Sequence, residues 1–71
     1  MSSVRLVNIE IVAKDFGVCQ LICEWHKNAG YETGLLLDMG GHRWEMHDSR
    51  RHASLQAALG RLQRLAKKAG V

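Results

Sequence analysis

The sequence predicts an α+β fold: a small antiparallel β-meander of three to four strands with one C-terminal amphipathic helix packed on one face. Three observations carry that expectation. Apolar and polar residues alternate with period two through short segments of the first fifty residues. Glycine-bearing turns, and no proline anywhere, separate those segments. Over Ser54 to Gly70, SLQAALGRLQRLAKKAG, the period changes to that of a helix. At 71 residues, 46% of them hydrophobic and 24% charged, the chain reads as one globular domain, 1–71, with a modest core.

Val4 to Lys14 opens the meander, with Val7, Ile9 and Ile11 alternating against Asn8 and Glu10. Asp15-Phe16-Gly17 offers a turn. Its DFG spelling matches a protein-kinase motif by chance, because this chain is far too short for that fold and lacks the companion motifs. Val18 to Trp25 admits two readings. As a strand it places Cys19, Leu21, Cys23 and Trp25 on one face and Val18 and Ile22 on the other. As a helix it places Val18, Leu21, Ile22 and Trp25 on one stripe, capped by Asp15 and stopped by Gly30. The β-branched residues and the preceding turn favour the strand.

Lys27 to Gly30 forms the next turn, and Tyr31 to Met39 another strand with Gly34 as a bulge site. Gly40-Gly41 marks the clearest hairpin turn. His42 to Asp48 is then a short strand with Trp44 and Met46 facing in and Arg43, Glu45 and His47 facing out. Ser49 to Ala53 links it to the helix. With Leu62 at the centre of a helical projection, Leu55, Ala58, Leu59, Leu65, Ala66 and Ala69 share its side, and Arg61, Arg64, Lys67 and Lys68 oppose them. Ser54 is the expected N-cap and Gly70 the expected stop. The two lysines of the last turn suit the negative end of the helix dipole.

Charge is unevenly distributed. Four bases and all seven acids precede Ser49, whereas six bases and no acid follow from it onward. An acidic sheet side and a basic helix side result, which bears on partners and not on fold. The basic surface of Arg50, Arg51, Arg61, Arg64, Lys67 and Lys68 is one candidate binding site. Val18, Ile22 and Leu36 form another, because one helix of about 22 Å cannot cover both faces of an apolar sheet. A homodimer through the sheet is expected on that ground.

Enzymatic chemistry finds little support. Cys19 and Cys23 would lie about 13 Å apart on one strand, too far for a disulfide, and read as free core thiols of a reducing compartment. With His26, His42, His47 and His52 they hold the ingredients of a metal site but lack the paired spacing of structural zinc, so neither metal nor cofactor is expected. No serine has a base and an orienting acid near it, and no glycine-rich loop precedes a helix. No apolar run reaches membrane-spanning length, so a cytoplasmic, non-membrane protein is expected.

In element order the chain resembles the sheet-plus-helix modules that bind nucleic acid, such as integrase arm domains and the tail of double-stranded-RNA-binding domains. The likeness rests on that order alone. The helix preceding the sheet in the RNA modules is missing, and the sheet side is acidic where the arm domains are basic. Two functions follow as expectations. One is a non-catalytic protein-binding module acting stoichiometrically on a larger protein or nucleoprotein complex. Phage and mobile-element inhibitors of host defence, anti-CRISPR proteins among them, share this general profile. The other is nucleic-acid binding through the basic helix side. That helix offers only Gln56 and Gln63 for base reading and no aromatic for stacking, which favours the protein partner.

Overall fold

The computed structural model describes residues 3–70 and shows the expected α+β architecture. Four strands, β1 (Ser3–Ala13), β2 (Gly17–His26), β3 (Gly30–Gly40) and β4 (Arg43–His52), precede one helix, α1 (Leu55–Ala69). The strands form a single antiparallel sheet in the order β1-β2-β3-β4. Val18 to Trp25 is therefore a strand, paired on both sides, and its apolar residues serve both faces of the sheet.

Each turn is written locally. Ala13 pairs with Gly17 across a three-residue loop, and Gly17 takes φ 70°. Gly40 pairs with Arg43, and the two residues between them, Gly41 and His42, have φ 59° and 65°, the twist that a tight hairpin needs. The Asp38 carboxylate accepts the Gly40 N–H at 2.8 Å and steadies that corner.

The core lies between the sheet and α1. Ile11, Ala13, Cys19, Leu21, Cys23, Leu35 and Leu37 supply it from the sheet, and Ala58, Leu62, Leu65 and Ala69 from the helix. Ser54 caps α1 by accepting the Ala57 N–H at 3.2 Å. Gly70 ends it at φ 91° and donates its N–H to the Ala66 and Lys67 carbonyls. The Lys14 N–H bonds to the Ala69 carbonyl at 2.7 Å, tying the helix end to the first turn.

Three expectations need correction. Trp44 and Met46 do not face the core: they pair with Asp38 and Leu36, on the face opposite the buried Leu35 and Leu37. Alternation along β4 fixes which residues share a face, not which face receives the helix. The linker at Ser49 to Ala53 is largely strand, since β4 continues to His52 beyond a bulge. That bulge sits opposite Gly34 instead of on it: Asp48 and Ser49 oppose a single β3 residue, and Asp48 takes φ 55°. A Cβ on Gly34 would meet the Met46 sulfur at 2.9 Å, so glycine is what lets Met46 lie across β3.

The helix is also rolled relative to the expected arc. Arg61 is buried at 6% exposure, whereas Leu55 and Leu59 stay 40% and 42% exposed. At about 100° per residue the buried arc runs from Arg61 through Leu65, Ala58 and Ala69 to Leu62. Leu55 and Leu59 fall beyond it, on the flank turned away from Arg61.

Candidate functional site

The face without the helix is the candidate site, and strand register arranges it in rows. The first row holds Val12 and Val18, paired with each other, then Asp38 and Trp44, likewise paired. Val12, Val18 and Trp44 are 70%, 63% and 47% exposed. The second row runs Glu10–Gln20–Leu36–Met46. Leu36 and Met46 are half-buried, as expected where large side chains lean on one another without a covering layer. Ile22 begins the third row beside Asn8 and Gly34 and is fully buried already. Of the three sheet-interface residues expected from sequence, Val18 and Leu36 present surface and Ile22, on the same face, is buried. Trp44, Met46 and Val12 belong to the same face and were missed. The signal that could have found Trp44 and Met46 was the cross-strand pairing of β4 with Leu36 and Asp38.

The far end of this face is polar and internally paired. Arg5 bonds Glu24 through Nε and Nη2 at 3.2 and 3.1 Å. His26 Nε2 lies 3.0 Å from Glu32 and 3.7 Å from Glu24. The Ser49 hydroxyl donates to Glu32, and with His26 and Arg51 it holds that carboxyl below its usual range. Among the described residues Glu24, His26 and Glu32 form the one group whose ligand atoms, all within 4.8 Å of each other, could hold a metal ion. A cation there would compete with Arg5 and Arg51 for the same carboxylates. The arrangement acts as a charge-balanced row that frames the apolar end.

On the helix side, the basic cluster expected from sequence is divided. Arg50, Arg64, Lys67 and Lys68 are exposed there, while Arg51 pairs across from Glu32 and belongs to the open face. Arg61 points inward: Nη1 donates to the Asp48 carbonyl at 3.0 Å and to Thr33 Oγ1 at 3.3 Å, and Nη2 pairs with Asp48 Oδ1 at 3.1 Å. The β4 bulge explains this burial, because it leaves the Asp48 carbonyl for the guanidinium and places the carboxylate beside it. Lys68 takes the second Asp48 oxygen at 3.0 Å. The Lys68 hydrogen bond, then Arg61, hold the Asp48 carboxyl below its ordinary range against the opposing effect of burial. Thr33, fully buried, also meets His52 Nε2 at 2.9 Å. Burial, with Arg61, Arg64 and Arg50 nearby, pushes His52 below its ordinary value.

Cys19 and Cys23 are free and buried, and burial raises both thiols above their ordinary value. A cavity of about 50 Å³ lies between the first turn and the helix end, lined by Ala13, Phe16, Leu35, Leu65 and Ala69. A groove of about 230 Å³ runs beside Trp44, bordered by Glu10, Val18, Gln20 and Asp38. A broader depression of about 530 Å³ at Asn28–Gly30 and Arg51–Ala53 is open surface. No helix among the described residues is long and apolar enough to cross a membrane. Comparison with known proteins finds no matching family model, no matching curated protein and no matching solved structure.

Proposed function

We propose that this chain is a non-catalytic binding module that docks on a larger protein or nucleoprotein complex through the sheet face its helix leaves open. One observation carries the reading: Val12, Val18 and Trp44 lie exposed in one row, with Leu36 and Met46 beside them. An exposed tryptophan backed by Leu36 and Met46, with two exposed valines across Asp38 in the same row, supplies the residue types of an interface. The paired row from Arg5 to Arg51 supplies a polar rim at one end. A stoichiometric inhibitor working in the cytoplasm, of the kind phages and mobile elements carry against host defence, is the form this proposal takes.

The second reading, nucleic-acid binding, is supported by the exposed Arg50, Arg51, Arg64 and Lys67. It loses Arg61 to the interior, and Lys68 is shared with Asp48. Glu10, Glu24, Glu32 and Asp38 on the open face would also repel a phosphate backbone. Heparin chromatography across a salt series separates the two. A docking module elutes early. Retention falling steeply with salt, by about 0.9 logarithmic units for each phosphate neutralised, would establish the basic surface as the binding site.

A further inference from the structure

We propose that β1 is a self-complementary edge and that two copies of this chain pair through it, joining their sheets into one of eight strands. β1 ends the sheet, so the backbone donors and acceptors along one side of its 11 residues have no strand beside them among the described residues. The two edges differ sharply. β4 carries Arg43, Glu45, Asp48, Arg50 and Arg51 and is bent by the Asp48 bulge, features that discourage another strand. β1 carries no lysine or proline between Ser3 and Ala13. Instead it holds Val4, Leu6, Ile9 and Val12, four of the ten large hydrophobics that stay exposed among the described residues.

The register follows from the side chains. Leu6 is the extra residue where β1 slips against β2, so Arg5, Asn8, Glu10 and Val12 all point to the open face. An antiparallel two-fold axis through Asn8 then sets Arg5 opposite Glu10 of the second copy, and Ser3 opposite Val12. On the helix side the same axis sets Val4 opposite Ile11, and Leu6 with Val7 opposite Ile9. Every pair shares a face, the apolar residues of the helix side meet apolar ones, the two charges meet opposites, and only Ser3 with Val12 is mixed. Cross-strand pairs of these kinds are the favourable ones. Glu10 has no ion-pair partner within its own chain among the described residues, and the Arg5 side chain, 39% exposed, keeps donors beyond those on Glu24. A two-fold axis normal to the sheet puts both helices on one side. Leu55 and Leu59, on the flank away from β4, then border the joined strip.

The test is sedimentation equilibrium over micromolar concentrations, with circular dichroism to verify folding. The parent should reach twice its chain mass of 8.0 kDa. Ile9→Lys, at an exposed position, should stay folded and weaken the dimer about tenfold or more. Glu10→Arg alone and Arg5→Glu alone should each be mainly monomeric, while an equimolar mixture restores a heterodimer, since both charge pairs are then opposite. A monomeric parent overturns the proposal. So does a dimer that ignores Ile9→Lys and Glu10→Arg but dissociates on Trp44→Lys, which would place self-association on the open face.

Discussion

The helix face of the sheet carries about twice as many apolar residues as the open face, and the two faces treat them differently. Under the helix, Leu21, Leu35, Leu62 and Leu65 reach 6% exposure or less, and the one cation buried there is matched by Asp48 and Thr33. On the far side Val12, Val18 and Trp44 keep about half or more of their surface in water. One face thus holds the fold together, and the other buries Ile22 but leaves Val12, Val18 and Trp44 largely in water. Leu35, Leu36 and Leu37 are consecutive, yet the two that face the helix are buried and the one between them is only half-buried, so the position of the single helix governs their burial.

The largest expected break in that comparison is Leu62→Asp. It places a charge in the helix–sheet core at a site 6% exposed and should unfold the domain, with a loss of about 4 kcal/mol or more in a denaturant titration. Leu59→Asp makes the control, since Leu59 is 42% exposed and should cost less than about 1 kcal/mol. Equal melting of the two variants would show that the helix is not rolled as described.

Arg61→Ala comes next. Its removal strands the Asp48 carbonyl and part of Thr33 and should cost about 3 kcal/mol, against less than about 0.5 kcal/mol for Arg64→Ala on the exposed face. A neutral Arg61→Ala would mean that the guanidinium lies in water.

A smaller effect is expected from pH. His52 titrates below its ordinary value of 6.5 in the folded chain, so the unfolded chain takes up the proton first. Stability should therefore hold above that value and begin to fall as pH drops beneath it. Asp48 and Glu32, both lowered from 3.8 and 4.5, contribute stability above those values that is lost as pH falls through their folded ones. The denaturation midpoint followed from neutral pH downward should decline in two stages, and His52→Gln should remove the first. A first stage that survives His52→Gln would assign it to another histidine.

Much of the fold was legible because strands, turns and caps are local statements. Val7, Ile9 and Ile11 announce β1, Gly40-Gly41 the last hairpin, and Ser54 with Gly70 the helix ends. What was not legible depends on where elements meet. A charged residue beside a leucine stripe reads as solvent-facing, and Arg61 goes inward only because a bulge in β4, distant in sequence, offers it a carbonyl and a carboxylate. Trp44 and Met46 were assigned to the wrong face for the same reason. Their alternation was correct, and the side chosen by the helix was not written in β4 itself. Val18 and Leu36 were found because an apolar strand too rich for one helix must leave residues over, an argument that counts surface and needs no contacts.

If the open face binds a partner while the helix side holds the fold, the two roles should separate by mutation. The most direct test immobilises the parent beside Val18→Asp, Trp44→Asp and Arg64→Ala, identifies what the parent captures from cells, and compares retention of that protein with the melting curve of each variant. All three variants should melt within about 1 kcal/mol of the parent. Val18→Asp and Trp44→Asp should lose the captured protein by about thirtyfold or more in affinity, as loss of a hot spot does, and Arg64→Ala should retain it. Full retention by both sheet variants, with loss on Arg64→Ala, would contradict binding through the open face.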